Sequence, residues 1–600
     1  MPAHLTTDTE ETAFGALNRH ILRRFLGLTR PYLTWIVLAI LLFFPVISAQ
    51  LAQPLLIRRA VDHHLATGDM AGFNWLLAEF FGLIVLQLVG SYGQALVNNL
   101  LGQRVVRDLR QNLFAHLLRM DAAFFSNHAT GRLTNRLTND TEVVSQMVSA
   151  GMINLLGDAL LLAGIAVSMI LLSPRLSLVA LCTLPIIILG TLHVARRLRV
   201  ALRDGRLIQS RMAGTIAEEI DGHQVIHLFQ RQQHNQNVFD GHNTDYLRSA
   251  LRSNFLEALQ FAFVDAMATI TIALLFWYGG FMQGSTHEVS MGTLMAFIDY
   301  LRRIFFPIRD LSTKFTTLQA AMTALERIFD LLDTQPSIVD PKVNPVQPSS
   351  RQGGIRYRDV YLDYGRKMIL HGIDLELRPG EKIALVGPTG AGKSSLARLL
   401  NRTWDPTRGE VEIDGVNVRQ IPLDQLRRMV GVVHQETFLF AGTFLDNITL
   451  HDPTITLERA HEAARQTGIL ECCRDLPQGL HTPIAERGSN LSAGQRQLLG
   501  IARVLVVNPR ILILDEATSS VDTISERFLQ EAMHRLMANR TAMVIAHRLN
   551  TILHMDRIVV IAGGRIVESG THDNLLAQGG MYARLHALQF QVVPDIDLIA

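Results

Sequence analysis

The stretch "KIALVGPTGAGKSSLARLL", residues 382–400, decides the fold of the second half of this chain. An apolar run leads into the loop "GPTGAGKSS" (Gly387 to Ser395), and an apolar helical pattern follows. This is the strand–loop–helix context of a phosphate-binding loop. Its glycines let backbone N–H groups approach phosphate oxygens, and the N-terminus of the next helix adds partial positive charge. The stretch therefore predicts an α/β domain that binds a nucleotide.

Individual residues of this loop have expected roles. Lys393 is expected to reach the β- and γ-phosphates, and the Ser394 hydroxyl to ligate Mg²⁺. Tyr364, in the segment "YLDYG" ahead of the loop, is predicted to stack on the adenine ring. The predicted nucleotide-binding residues of the loop are Gly387, Pro388, Thr389, Gly390, Ala391, Gly392, Lys393, Ser394 and Ser395.

Polar residues end three further predicted strands of the same half. In "RILILDEATSSVD", Asp515 is expected to hold Mg²⁺, and Glu516 to orient the attacking water or accept its proton. A solvated acidic pair is the alternative, which the apolar strand in front of it disfavours. His547 ends "TAMVIAH" and is expected to reach the γ-phosphate, although a structural histidine is the alternative. Gln435 ends "VGVVHQ" and is expected to contact the metal and sense the γ-phosphate.

A second anion-binding loop, "SNLSAGQRQ" (Ser489 to Gln497), lies roughly 100 residues after the first. Ser492, Gly494 and Gln495 begin the helix "QRQLLGIARVL", so backbone N–H groups and a positive helix end would meet an anion. Two such ends are redundant if both serve one nucleotide within one domain. They make sense if ATP lies between the phosphate loop of one domain and this loop of another.

The composition predicts several domains, one of them in a membrane. A chain of 600 residues exceeds what one core organises, and 48% hydrophobic with 18% charged residues is high for a soluble chain. A net charge of +2 does not suggest nucleic-acid binding, and the three cysteines are interpreted as packing residues. The predicted boundaries are a transmembrane domain at 1–335, a proline-rich linker at 336–352, a nucleotide-binding domain at 353–590 and a tail at 591–600.

Six apolar stretches in the first half are long enough to cross a bilayer, which needs ~20 residues. They cover residues 34–57, 73–97, 152–172, 176–194, 260–282 and 291–307. Arginines cluster at one set of ends, whereas the loops "DHHLATGDMAG" and "QGSTHEVSMG" contain no lysine or arginine. Only Arg175 breaks this bias, so both termini are predicted to be cytoplasmic. No cleavable signal peptide is evident in the first 30 residues, which charges interrupt.

Two segments between spans, 98–140 and about 195–255, are too long to be turns. We expect them to continue the membrane helices into the cytoplasm. Each has a break that would accommodate a short crosswise helix, punctuated by Gly131 in the first and by Gly222 in the second. Irregular loops are the alternative.

In combination, these motifs resemble the ABC transporter family. The ordered set "GPTGAGKS", Gln435, "LSAGQRQ", "ILILDEATSSVD" and His547 looks like its ATPase domain, and the six spans with "TGRLTNRLTNDTE" resemble exporter half-transporters over about residues 15–590. The resemblance implies that "SSVD" links two ATP sites and that "AERGSN" touches the intracellular loops. It also implies coupling helices near 124–132 and 222–231. Ala493 departs from the family signature, which has glycine there.

The resemblance implies an all-α six-helix transmembrane domain with long intracellular extensions, followed by an α/β ATPase domain. It also implies an ATP- and Mg²⁺-dependent exporter half in a bacterial inner membrane, which dimerises to move amphipathic or lipid-like substrates outward. Pairing with a different partner chain, or an ATP-gated regulator without export, are the alternatives.

The substrate prediction depends on acidic residues in or near the spans. Asp158, Asp265 and Asp299 would suit amphipathic cations, because an ionisable group in a membrane is costly and often functional. Asp299 and Arg303 are four residues apart on one helix, so they either face a wet cavity or only position helices. Lipid flipping and peptide export stay open at this point.

Overall fold

The structure is a computed structural model that describes residues 19–286, 289–341, 346, 352–365, 367–472, 478–515, 523–546 and 552–590. The predicted catalytic residues Glu516 and His547, the "SSVD" segment and most of the predicted linker lie outside these residues. The chain divides into two units: Met1–Leu118 with Ala129–Thr334, and Arg119–His128 with Gln335–Ala600.

The first unit is helical throughout its described part. Its helices are α1 Arg19–Thr29, α2 Leu33–Arg59, α3 Met70–Leu117, α5 Thr130–Asn135, α6 Thr141–Gln146, α7 Ile153–Leu172, α8 Pro174–Asp221, α9 His223–Leu228, α10 Gln232–Thr286 and α11 Met291–Asp333. Between α3 and α5, the short helix α4 Ala122–Asn127 belongs to the second unit. Five described helical stretches are long and apolar enough to cross a membrane, and they contain α2, α3, α7, α8 and α10. The sixth predicted span is the beginning of α11, which is helical but carries Asp299, Arg302 and Arg303.

Three of these helices are much longer than a bilayer requires. α3 and α8 have 48 residues each, and α10 has 55. At 1.5 Å per residue they extend roughly 70–80 Å, more than twice the ~30 Å hydrocarbon core. The prediction that membrane helices continue as long extensions is therefore confirmed.

Short helices interrupt these extensions, as predicted. Asp121 caps α4 by accepting the Phe124 N–H at 2.9 Å, and Gly222 ends α8 just before α9. The prediction that Gly131 marks the first break is wrong, because Gly131 lies inside α5. The chain leaves the helical conformation at His128 and Ala129 instead, where the backbone is extended. Gly131 is the second residue of α5, so the break in the helix comes just before it.

Polar contacts join the charged beginning of α11 to α2. Arg303 donates to Asp299 Oδ2 at 3.0 Å, to the Gln50 carbonyl at 3.0 Å and to Gln53 Oε1 at 2.7 Å. Tyr300, which is fully buried, donates to a further α2 carbonyl at 2.6 Å. The Asp299–Arg303 pair therefore positions helices, which was one of the two interpretations of its spacing.

The described part of the second unit contains three β-sheets. Its strands are β1 Ile355–Asp363, β2 Met368–Leu377, β3 Lys382–Val386, β4 Arg408–Ile413, β5 Val416–Asn417, β6 Val430–Val433, β7 Gly442–Thr443, β8 Pro483–Ile484, β9 Ile511–Asp515, β10 Thr541–Ile545, β11 Arg557–Ala562 and β12 Arg565–Gly570. Its further helices are α12 Lys393–Leu400, α13 Leu423–Met429, α14 Phe444–Thr449, α15 Leu457–Gln466, α16 Ile469–Cys472, α17 Ala493–Val507, α18 Thr523–Met537, α19 His572–Ala577 and α20 Met581–Phe590.

The largest sheet has the order β12-β11-β3-β10-β9-β6, and its five strands other than β12 run parallel. Successive side chains of β3 alternate between two hydrophobic clusters: Ile383 and Leu385 pack in one, Ala384 and Val386 in the other. Burial on both faces explains why the strands read as continuous apolar runs. A parallel sheet collects its carboxyl ends at one edge, where open α/β sheets bind ligands.

Candidate ATP site

Glycine is required at two positions of the phosphate loop. Gly387 has φ 151°, and a Cβ there would lie 2.0 Å from the Ile561 carbonyl oxygen. Gly392, immediately before α12, has φ 105°, and its Cβ would lie 2.7 Å from Leu370 Cδ2. Both backbone conformations are strained for other residues, so this sequence folds the loop tightly between β3 and α12.

Lys393 begins α12 and is folded back onto the loop. Its Nζ donates to the carbonyl oxygens of Gly387 at 2.6 Å and Pro388 at 3.1 Å. Burial lowers the pKa of the Lys393 ammonium, and the nearby Asp515 carboxylate opposes that shift. A buried cation at a helix N-terminus, beside exposed loop residues, is suited to bind phosphate oxygens.

Asp515 lies at the same sheet edge as the phosphate loop. It ends β9, and the register aligns it with Ile545 of β10, which is in turn aligned with Leu385 of β3. The half-exposed Ser394 is in the first turn of α12. A hydroxyl and a carboxylate are the hard oxygen ligands that Mg²⁺ prefers, so these two residues fit a metal held jointly with phosphates. Among the described residues, no group of three His, Cys, Asp or Glu side chains forms a separate metal site.

Gln435 lies two residues beyond the end of β6, the strand next to β9, and its side chain is exposed. The segment after it is fixed by Arg503 of α17. Arg503 donates to the Phe438 carbonyl at 3.0 Å, to the Asn447 carbonyl at 2.9 Å and to Asn447 Oδ1 at 3.2 Å. Sequence reasoning missed Arg503, although a lone arginine on the otherwise apolar run "LLGIARVL" was a usable signal.

Helix α17 approaches this segment very closely. A Cβ added at Gly500 would lie 2.5 Å from Thr437 Oγ1. At Gly431 of β6, the same addition would meet Val504 of α17 at 2.6 Å. The two glycines let the helix that follows Ser492 pack directly against the strand and segment that carry Gln435.

Tyr364 is close to the phosphate-loop helix. Its hydroxyl donates to Ser395 Oγ at 3.1 Å, and its ring packs edge-on against Trp404 with centroids 4.5 Å apart. Stacking of Tyr364 on adenine stays a prediction. Trp404, which no sequence motif indicated, supports the ring.

The Ser492 loop is a well-formed helix start. Ser492 Oγ accepts the Gln495 N–H at 3.2 Å, and Gln495 Oε1 accepts the Ser492 N–H at 2.9 Å. This reciprocal capping box defines where α17 begins. Ser492 is exposed, whereas Gly494 is buried. The described hydrogen bonds of Ser492 remain within its own loop and do not reach the phosphate loop.

These features define a class: a P-loop nucleotide-binding unit fused to a unit of membrane-length helices. The description "ABC transporter transmembrane region" matches residues 35–308, and "ABC transporter" matches residues 370–519. The chain belongs to the ABC transporters that fuse the two regions, and it is an ATP-hydrolysing exporter half.

Relatives align along nearly the whole chain. A putative multidrug export ATP-binding/permease protein of Bacillus subtilis is 33% identical, covering 95% of this chain and 99% of that protein. An ATP-dependent lipid A-core flippase of Syntrophus aciditrophicus is 33% identical, with 95% of each chain covered. The structure of a bacterial Atm1-family ABC exporter with ATP bound aligns with a TM-score of 0.77 and 27% identity, covering 94% of this chain and 99% of that one.

Proposed function

We propose that two copies of this chain form an exporter, with each ATP lying between the phosphate loop of one copy and the Ser492 loop of the other. The observation that carries the proposal is that Lys393 and Asp515 share one sheet edge in a chain whose other unit consists of membrane-length helices. One copy has one loop of each kind, so two copies complete two sites. Ser492 caps the Gln495 N–H, whereas the other first-turn N–H groups of α17 have no partner within the helix and would bind the γ-phosphate of the facing copy.

The residues at the sheet edge would share the chemistry. Lys393 would bind the β- and γ-phosphates, while Ser394, Asp515 and Gln435 would hold Mg²⁺ with them. Once bound, Mg²⁺ would neutralise charge that develops between the two phosphates. Glu516, directly after Asp515, would orient and deprotonate the attacking water, and His547 would contact the γ-phosphate.

The transported molecule is proposed to be amphipathic or lipid-like and to move outward from the cytoplasmic side of a bacterial inner membrane. The names of the multidrug-export and lipid-flipping relatives support this class. Two of the three aspartates that would suit a cationic substrate are already in ion pairs, Asp158 with Lys314 and Asp299 with Arg303. The arginine distribution supports cytoplasmic termini.

Mg²⁺-dependent ATPase activity of the full chain, purified alone, tests the homodimer. Glu516→Gln is expected to lower turnover roughly 10²-fold or more, as for loss of a general base. Glu410→Gln, an exposed change of the same chemistry, is the matched control. Negligible turnover by a folded wild-type chain that still binds ATP would indicate a different partner chain and contradict the homodimer.

Complementation tests the sharing of sites. Lys393→Ala and Ser492→Arg should each inactivate a homodimer. A co-expressed mixture has one intact shared site per mixed dimer, formed by the phosphate loop of the Ser492→Arg copy and the Ser492 loop of the Lys393→Ala copy. Recovered hydrolysis is expected. Its absence from isolated mixed dimers would refute shared sites.

A further inference from the structure

A short segment of the second unit, residues 335–341, is held by hydrogen bonds near both of its ends, and we call it the strap. It follows α11 directly in the chain. Near its start, Ser337 donates to Asp121 Oδ2, from its backbone N–H at 2.6 Å and from its hydroxyl at 2.5 Å. Near its end, Asp340 Oδ1 accepts the Leu423 N–H at 2.8 Å. Specific polar contacts therefore fix the strap to its own unit.

A third contact to the strap comes from the turn that follows α12, the helix of the phosphate loop. Arg402, which is only 5% exposed, donates from Nη2 to the Val339 carbonyl at 3.2 Å. The same guanidinium donates to the Asp405 carboxylate at 3.0 and 3.4 Å, which closes the turn of residues 402–405. Arg402 has a left-handed backbone there, with φ 54°. Residues other than glycine rarely adopt that conformation, so the side-chain contacts hold this turn in one shape.

Trp404 lies within this turn and contacts the predicted base-binding residue. Its ring meets the ring of Tyr364 edge-on, with centroids 4.5 Å apart, an arrangement that aromatic pairs prefer. Both rings also pack against the hydrophobic cluster that contains Leu396 and Leu399 of α12. The strap, the 402–405 turn and Tyr364 therefore form one connected set of contacts within one unit.

We propose that Trp404 and Arg402 are positioning residues that couple the base of the bound nucleotide to the strap. A base stacked on Tyr364 would restrict its ring, and with it Trp404 and the turn from which Arg402 holds the strap. Nucleotide binding would then hold the strap more firmly, and by linkage the held strap would raise nucleotide affinity by the same factor. The proposal rests on the ATP site proposed above and on the predicted stacking of adenine on Tyr364.

The phosphates of the nucleotide meet a different part of the same helix. Lys393, at the start of α12, donates to the phosphate-loop carbonyls of Gly387 and Pro388, whereas Arg402 follows the end of α12. A ligand that has the phosphates but lacks the base should therefore leave the strap unchanged.

Hydrogen–deuterium exchange of the purified full-length protein, read by mass spectrometry of peptides covering residues 335–341, tests the coupling. The probes are Mg·ADP and Mg·pyrophosphate at concentrations shown by equilibrium dialysis to saturate the site. Both lack the γ-phosphate that is proposed to meet the facing copy, so closure of the shared sites does not contribute. ADP is expected to slow exchange of the strap roughly fivefold or more, a typical coupling between sites, and pyrophosphate to leave it unchanged. Equal protection by both ligands, or none by ADP, would overturn the proposal.

Substitutions in the turn distinguish a broken coupling from a loosened strap. Trp404→Leu should abolish protection by ADP and weaken ADP binding about fivefold, whereas Trp404→Phe, which keeps an aromatic ring, should retain both. Arg402→Met should behave like Trp404→Leu; if this buried change prevents folding, the two Trp404 variants decide. Unchanged protection by ADP in a folded Trp404→Leu protein would contradict the coupling.

Asp340→Ala is the matched control, because it removes the contact with the Leu423 N–H and leaves the contacts of Arg402 in place. Strap exchange without ligand should rise in this variant, but ADP should still slow it by the same factor. Loss of the ADP effect here as well would mean that any loosening of the strap removes it, and would overturn the role given to Arg402 and Trp404.

The outcomes separate this proposal from the function above. Tyr364→Ala measures the predicted stacking itself: unchanged ADP affinity would refute the stacking and the coupling, while hydrolysis that depends on Glu516 would still support the ATPase. Weaker ADP binding by Tyr364→Ala, together with unchanged strap protection in Trp404→Leu, would overturn the coupling alone. Strap protection by ADP in a chain that hydrolyses no ATP would support the coupling and contradict the homodimeric ATPase.

Discussion

Substitution of Gly500 by alanine tests the close packing between α17 and the segment after Gln435. The new Cβ would lie 2.5 Å from Thr437 Oγ1 and 3.0 Å from its Cγ2, so Thr437 must move. That movement is resisted because Arg503 holds the next residues through hydrogen bonds. Such overpacking costs about 1–3 kcal/mol, while the better helix propensity of alanine returns about 1 kcal/mol.

The net loss is therefore up to about 2 kcal/mol, a drop of roughly 4–8 °C in the unfolding temperature for a unit of this size. ATP turnover should also fall at temperatures where the variant is still folded, because moving Thr437 displaces Gln435, two residues before it. Thr437→Ala removes both clashing atoms, so in that background Gly500→Ala should become harmless or stabilising. The expected coupling between the two changes is at least about 1 kcal/mol.

The assay follows the temperature of half-inactivation and the initial ATPase rate for wild type, both single variants and the double variant. Gly214→Ala in α8 is the control, since a Cβ there meets nothing within 4 Å. It should be neutral or slightly stabilising. An effect of Gly500→Ala that is the same with threonine or alanine at 437 would refute the reasoning, because the strain would then not come from this contact.

Two further predictions concern hydrogen bonds of single side chains. Ser492→Ala should lower stability by about 1 kcal/mol through loss of the helix cap; Ser492→Asp should keep the cap but abolish hydrolysis, if the loop meets phosphate. Retained hydrolysis by the aspartate variant would mean a capping role alone. At Asp121, burial acts to raise the carboxyl pKa, but hydrogen bonds from Ser337 and the Phe124 amide outweigh it and hold the pKa below 3.8. The stabilising effect of Asp121 is present above pH 3.8 and is lost as the pH falls through its lower pKa in the folded protein. Pepsin cleavage near residues 335–341 should therefore rise with acidification in wild type. In Asp121→Asn the cleavage should depend less on pH.

Local patterns predicted the elements that short-range chemistry determines. The phosphate loop follows from glycines at Gly387 and Gly392, whose conformations other residues rarely adopt. The start of α17 follows from serine and glutamine three residues apart, which is a capping box in sequence as well as in structure. The membrane-length helices follow from apolar length alone.

Contacts between distant segments were not predictable in the same way. Arg503 reaches residues 438 and 447 only because α17 packs on that segment, and no spacing in one sequence encodes such a pairing. The ion pair of Asp158 is of the same kind, because its partner Lys314 lies on a helix far along the chain. The break was not at Gly131 as predicted, because glycine lowers helix stability but does not always end a helix, and Gly131 lies within α5.

The charged beginning of α11 has a consequence for how the protein is made. Each aspartate or arginine near the centre of a span raises the cost of insertion by about 2.5–3.5 kcal/mol, and α11 carries Asp299, Arg302 and Arg303 there. Its contacts to Gln50 and Gln53 come from α2, which the ribosome completes roughly 250 residues earlier. We therefore expect stable insertion of α11 into the bilayer to require that α2 is already inserted, because α2 supplies the polar partners of Arg303.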